Sequence, residues 1–171
     1  DAVISLRPIT RDNARAITRL KVAPEQEQFV ASNAISLAQA HFEKYAWYRA
    51  IYADETPVGF MMLYDDPVQP QYFLWRLMID ARYQGHGFAW RAIQQLIDYV
   101  RTRPGAKELL VSHGQGEGSP AWFYARLGFQ YTGEEDDGEL IMRLPFEPAA
   151  PAPTSSELKP LTHVVLFKLK E

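Results

Sequence analysis

The chain alternates between two hydrophobic periods. Ile4 to Ile9 alternates, with Ile4 and Leu6 on one side and Ser5 and Arg7 on the other, and predicts a first strand. Asp12 to Leu20 carries Ala14, Ile17 and Leu20 near one side of a helix. Ser36-Leu37-Ala38-Gln39 has the form of a capping box and predicts a helix running to about Tyr45. Trp47 to Ala53 and Val58 to Tyr64 read as strands of a hairpin around Asp54-Glu55-Thr56. Tyr72 to Ile79 is an almost unbroken apolar run, as expected of a central strand covered on both faces. Phe88 to Val100 holds Ala89, Ala92, Ile93, Leu96, Ile97 and Val100 at helical spacing, and Pro104-Gly105 ends it. Leu109 to Ser112 predicts a short strand and Pro120 to Leu127 a helix closed by Gly128. Phe129 to Gly133 and Glu139 to Leu144 predict a last hairpin around the acidic turn Glu134 to Gly138. The order βααβββαβαββ is mixed α/β, with a mostly antiparallel sheet of six to seven strands and one parallel crossover.

The pattern then stops. Pro145 to Pro160 has Pro at five of sixteen positions, with Ala, Ser and Thr between them, and reads as a semi-extended tether. Beyond it Leu161 to Glu171 is strand-prone around Val165-Leu166-Phe167. The expected organisation is a main domain over 1–146, a linker over 147–160 and a C-terminal docking strand over 161–171. Composition narrows the classes. With 47% hydrophobic and 23% charged residues the 171-residue chain is globular rather than disordered. A formal charge of −3 gives no basic excess for nucleic acid. No apolar run is long enough to span a membrane, and none follows a basic start as in a signal peptide. There is no Cys, hence no disulfide and no thiolate ligand or nucleophile, and the expected compartment is the reducing cytoplasm. His41, His86, His113 and His163 show no ligand spacing, so no metal is expected.

Chemistry concentrates at two places. In Ile79-Asp80-Ala81-Arg82-Tyr83-Gln84-Gly85-His86-Gly87-Phe88-Ala89, a strand passes through a glycine loop into the best helix of the chain. Glycines let successive N–H groups face inward, and the helix start adds its positive dipole end, a combination suited to phosphate or pyrophosphate. An ordinary strand-to-helix turn that needs glycine has the same sequence. Neither a P-loop nor a dinucleotide fingerprint is present. Downstream, Trp122-Phe123-Tyr124-Ala125-Arg126-Leu127-Gly128-Phe129 closes a helix on Gly128, with Phe123 and Leu127 facing a core and Tyr124 offering a phenol beside them.

In this order the two segments resemble the GCN5-related N-acetyltransferase (GNAT) superfamily. Gln84-Gly85-His86-Gly87-Phe88-Ala89 matches its Gln/Arg-x-x-Gly-x-Gly/Ala signature, and Tyr124 with Gly128-Phe129 matches its later helical Tyr. Ile79 to Gly85 and Gly128 to Glu134 are most similar to the bacterial spermine/spermidine (diamine) acetyltransferase-like branch. The resemblance implies a GNAT-like sheet with helices on both faces and acetyl-CoA as cosubstrate. The pyrophosphate would lie on the backbone of Gln84, Gly85, His86, Gly87, Phe88 and Ala89. The pantetheine arm would lie along Leu77, Met78 and Ile79. Tyr124 would protonate the departing thiolate, flanked by Phe123 and Arg126. Two positions depart from the family: Glu117 stands where many relatives have Asn, and Leu74-Trp75-Arg76-Leu77 lacks the acid that often serves as base. Glu25, Glu27, Asp65, Asp66 and His113 remain candidates for that base.

The acidic run Glu134-Glu135-Asp136-Asp137 with Glu139 is a candidate attractor for a polycationic amine. Tyr45, Trp47, Tyr64 and Trp75 are candidates for an aromatic amine slot. The expected function is acetyl transfer to a primary amine of a small, polyamine-like molecule; a non-catalytic acyl-CoA-binding or sensing module on the same fold is the alternative. Thr162 to Glu171 resembles the opening strand of the stress-responsive dimeric α/β-barrel family. It is expected to pair with an exposed edge, more readily across a homodimer than within one chain.

Overall fold

The structure, a computed structural model, describes residues 1–146. The linker and docking strand expected over 147–171 lie outside the described residues. Among the described residues, seven strands form one sheet in the order β1-β2-β3-β4-β5-β7-β6. They are β1 (Ile4–Arg7), β2 (Ala46–Ala53), β3 (Thr56–Asp66), β4 (Gln71–Ile79), β5 (Glu108–His113), β6 (Gln130–Asp136) and β7 (Glu139–Pro145). Every pairing in this sheet is antiparallel except β4 with β5. The α-helices of the same residues are α1 (Ala14–Arg19), α2 (Asn33–His41), α3 (Phe88–Arg101) and α4 (Ala121–Leu127). The expected order and fold class are observed, with boundaries moved by a few residues.

The helices cover opposite faces because the sheet is apolar on both. On one face Ala92, Ile93, Leu96, Ile97 and Val100 of α3 pack on Ile51, Met61, Leu63, Tyr72 and Leu74. On the other, Ile17 of α1, Leu20 just after it and Ala40 of α2 pack on Phe60, Met62, Trp75 and Met78. Each large side chain so buried contributes roughly 1.5–3 kcal/mol. The two helices of the second face are tied together by Asn33, whose Nδ2 donates to the Ile17 carbonyl over 2.9 Å.

One start signal is misplaced in the sequence. Helix α2 begins at Asn33, not Ser36, with Ser32 as N-cap accepting from the Ile35 N–H. Ser36 is fully buried inside the helix, and Gln39 accepts from the Arg76 guanidinium instead of closing a capping box. The helix also ends at His41, short of the expected Tyr45.

β4 is the strand that prepares the site. Its register against β3 runs Met62↔Arg76 and then Leu63↔Leu74, so Trp75 is an extra, bulged residue. A bulge bends its strand and raises the local twist. At the same level β4 leaves β5: their parallel pairing covers only Phe73↔Leu110 and Leu74↔Val111. β5 continues instead with β7, through Ser112↔Ile141 and His113↔Leu140. The sheet is therefore split in its middle, with Trp75 to Ile79 on one lip and Ser112 and His113 on the other.

Candidate active site

A cavity of about 1230 Å³ fills the split. Its walls are the outer half of β4, the end of β5, the loop leading into α3, the α4 helix, the segment between α1 and α2, and the β6–β7 turn. At its outer end Asp80 anchors the loop. Its carboxylate accepts from the N–H groups of Lys21 and Arg82 and from Arg82 Nε, each at 2.9 Å. Burial alone raises the Asp80 pKa, but these hydrogen bonds outweigh it and hold it below the usual 3.8. Gln84 then turns inward, its Nε2 donating to the Ile79 carbonyl over 2.9 Å and to Gln26 Oε1 over 2.8 Å. That pair of bonds caps the free lip of β4 at Ile79 and joins it to the α1–α2 segment.

Past Gln84 the loop has the conformation that its glycines allow. Gly85 and Gly87 have φ of +84° and +75°, and Gly87 is the N-cap of α3. A Cβ placed on either meets nothing within 4 Å, so the backbone borders open space. A nest of N–H groups at the start of a 14-residue helix, with room above it, fits a pyrophosphate. Where β4 and β5 do not pair with each other, the gap fits an amide-bearing arm that hydrogen-bonds like a strand.

Gln84, Gly85, Gly87, Phe88 and Ala89 line the cavity together with Leu77, Met78 and Ile79. His86 does not: it is exposed and stacks on Phe88 with ring centroids 5.4 Å apart. Phe123, Tyr124 and Arg126 project from α4 into the same cavity. Tyr124 is only 6% exposed and sits edge-on between Phe123 and Phe129. Burial, and secondarily the nearby Glu139 carboxylate, push its phenol pKa well above the ordinary value of 10.0. The group thus keeps its proton through neutral pH. Arg126 lies 4.7 Å over the Trp122 ring, at the rim.

The candidate bases separate. Asp65 is committed to structure, accepting from Tyr99 Oη and Arg103 Nε. Asp66 receives the N–H groups of Val68 and Gln69 and closes the β3–β4 turn. His113 lines the cavity, but its Nδ1 lies 2.9 Å from the Gly114 carbonyl and 3.2 Å from Ser119 Oγ, and its Nε2 lies 3.1 Å from Tyr131 Oη. Both ring nitrogens are engaged. Glu25 is outside the cavity walls, and Glu27 is on them. So are Asp137 and Glu139, whereas Glu134, Glu135 and Asp136 are not.

The aromatic slot divides similarly. Trp75 lines the cavity; Tyr45, Trp47 and Tyr64 lie elsewhere. Trp47 is held between Tyr99, stacked at 4.7 Å, and Arg49, 4.4 Å over the ring. Glu117 is exposed and away from the cavity. Its loop matters through glycine instead. A Cβ on Gly114 would come within 3.2 Å of Phe29, which bridges the α1–α2 segment to the far lip. Phe29, absent from the expected machinery, therefore stands on the cavity wall, and Glu139, expected only as part of an acidic attractor, stands there as a half-buried acid. Among the described residues no group of His, Asp and Glu converges as a metal site.

A split sheet, a glycine nest at a helix start and a buried phenol beside the split define an enzyme that moves an acyl group from a long, phosphate-bearing thioester. Residues 10–129 match the model of the Acetyltransferase (GNAT) family, and the chain belongs to that family. The spermine/spermidine N(1)-acetyltransferase of Bacillus subtilis (strain 168) is 31% identical over 146 residues, covering 81% of this chain and 96% of that protein. Among solved structures, an acetyltransferase from Thermus thermophilus superposes with a TM-score of 0.68 at 17% identity, covering 84% of this chain and 97% of its own. A spermidine N-acetyltransferase from Vibrio cholerae in complex with CoA and spermine superposes with a TM-score of 0.63 at 16% identity, covering 82% of this chain and 92% of its own. The chain is an acetyl-CoA-dependent N-acetyltransferase, and the non-catalytic alternative is set aside. No helix among the described residues is long and apolar enough to cross a membrane.

Proposed function

We propose that this enzyme acetylates a primary amine of a small, polyamine-like molecule. The observation that carries the reading is the set of carboxylates on the cavity wall. Glu27 comes from the α1–α2 segment, and Asp137 and Glu139 come from the β6–β7 hairpin. A cationic chain of two or more amines gains favourable contacts across such an opening. The 31% identity to an enzyme named for spermine and spermidine supports the same reading. Arg76 and Arg126 are also on the wall. We assign Arg126 to the acyl donor's side and Arg76 to the β4–α2 contact, where it donates to Gln39 over 3.1 Å.

Acetyl-CoA supplies the activated acetyl thioester. The N–H groups of Gln84 to Ala89 receive its pyrophosphate, and the β4 lip at Leu77 and Met78 pairs with its amides. At Ile79 the carbonyl is already taken by Gln84, leaving its N–H side. Tyr124 gives a proton to the sulfur as the C–S bond breaks, and Phe123 and Arg126 hold the donor from α4. The neutral amine nitrogen attacks the carbonyl carbon directly. A panel of amines assayed for CoA thiol release tests the reading. Spermidine and spermine should turn over well ahead of lysine peptides; peptides turning over while no small amine does would refute it.

A cytoplasmic homodimer belongs to the same proposal. Among the described residues the sheet ends in two edges, β1 and β6, and an open edge is a surface that a second chain can pair with. Light scattering before and after removal of the residues beyond Glu147 reads this directly: a dimer should become a monomer.

A further inference from the structure

The run Leu74-Trp75-Arg76-Leu77 of β4 carries no carboxylate, and Asp65, Asp66 and His113 are engaged, which leaves Glu27, Asp137 and Glu139 on the cavity wall as acceptors for the proton of the attacking ammonium. Glu27 and Asp137 are exposed, and only Glu139, at the start of β7, is partly withdrawn from solvent. Glu139 is half-buried, lines the cavity, and has Ser112 Oγ donating to its Oε1 over 3.3 Å. Ser112 belongs to the β5 lip, directly across the split from β4, and is itself only 7% exposed. Tyr124 lines the same cavity. Acid and carboxylate thus share one cavity, although they are 15 residues apart in sequence and come from different elements.

We propose that Glu139 is the general base of the reaction and that Ser112 is its positioning residue. The Glu139 carboxylate takes one proton from the acceptor ammonium. The freed lone pair forms the N–C bond at the thioester carbonyl, and the C–S bond breaks as the sulfur takes the Tyr124 proton. The second amine proton returns to the Tyr124 phenolate, and the proton on Glu139 leaves to solvent. Charge and protons balance: one ammonium and one thioester give one amide, one thiol and one released proton. The role is needed because a polyamine nitrogen is almost wholly protonated at neutral pH and cannot attack until a proton is removed.

The proposal rests on the small-amine reading above, and the test separates the two. Glu139→Gln and wild type are compared with two acceptors: a strongly basic polyamine, and a weakly basic amine already neutral at pH 7. Calorimetry with CoA first establishes that the variant is folded and binds the donor. With the polyamine, kcat at pH 7 should fall on the order of 10²-fold. The deficit should narrow as pH rises toward the amine pKa. With the weakly basic amine the loss should shrink to a few-fold. Ser112→Ala should show the same dependence on the amine in milder form. Equal losses for both amines, or an effect confined to KM, would overturn the assignment and leave Glu139 as a binding charge. If Glu139→Gln does not fold, Glu139→Asp, which keeps the carboxylate at shorter reach, must show the same selective loss for the basic amine. A wild-type enzyme inert toward every small amine overturns both readings, whereas equal losses in the variant of an enzyme that does use small amines overturn this one alone.

Discussion

Replacing Gly87 by Glu puts a side chain and a negative charge at the mouth of the helix that is to receive pyrophosphate. The cost to the free protein is small and calculable. Gly87 sits at φ +75°, where an L-residue pays about 1–2 kcal/mol. Nothing lies within 4 Å of the new Cβ, so no packing term is added. Loss of glycine freedom in the unfolded chain returns about 0.4–1 kcal/mol. The net is about 1 kcal/mol, a few degrees in Tm for a domain of this size and far from unfolding it. The cost to binding is larger. A carboxylate about 4 Å from one phosphate charge meets about 4 kcal/mol of repulsion at an effective dielectric near 20. Even one third of that, after salt and side-chain relaxation, is tenfold in affinity. Titration calorimetry with CoA at fixed salt should show a loss of about 10- to 100-fold, beside a Tm lowered by only a few degrees. Gly87→Ala carries the same backbone strain without the charge and should lose less, most of it salt-independent. A folded Gly87→Glu protein with wild-type CoA affinity would refute the placement of the pyrophosphate at this helix.

Four further outcomes follow from the geometry. Tyr124→Phe should lower kcat on the order of 10²-fold with little change in acetyl-CoA KM, because the ring packing survives and only the proton is lost. Since burial holds the Tyr124 phenol above 10.0, a rate profile should rise through neutral pH and show no downturn from this group below that value. Asp80→Asn should destabilise the domain at neutral pH. The folded Asp80 pKa lies below the unfolded 3.8, so its contribution is present above 3.8 and lost as pH falls through the folded value. Urea titrations of variant and wild type should therefore converge in acid. Gly59→Ala should cost about 3 kcal/mol or more by urea titration, since its Cβ would overlap the Met78 carbonyl oxygen, which is fixed backbone.

Much of this molecule is legible in its sequence, and what is not has physical reasons. The strand–loop–helix from Ile79 to Ala89 and the Tyr124–Gly128 closure are local: a few adjacent residues fix their own backbone and carry the family signature. The bulge at Trp75 is not, because an apolar run covered on both faces has no alternation to interrupt. Ser36 and Gln39 satisfy a capping pattern on paper that Ser32 satisfies in fact, and burial beneath α2 decides between them. Tyr45, Trp47 and Tyr64 are equally good as slot or as core, and only the third dimension assigns Trp47 to Tyr99 and Arg49. Glu139 is visible only as part of an acidic run. Its proximity to Ser112 depends on the β5–β7 register, which no sequence interval encodes.

The seam between β4 and β5 means that the domain by itself is an incomplete structure. The β5 partner of β4 ends at Leu74, and the Gln84 amide takes the Ile79 carbonyl. An acyl donor bound along this lip, as proposed above, is also a structural element, and the folded population is coupled to its supply. At a hundred times its dissociation constant, a ligand of the folded form alone adds about 2.7 kcal/mol. Amide hydrogen exchange would record the coupling where it arises, slowing at the lip residues Leu77 to Ile79 and along their neighbours in β3, while the remote β1–β2 hairpin keeps its own rate. A mutation that straightened β4 and zipped it to β5 would make a steadier protein with nowhere to put its substrate.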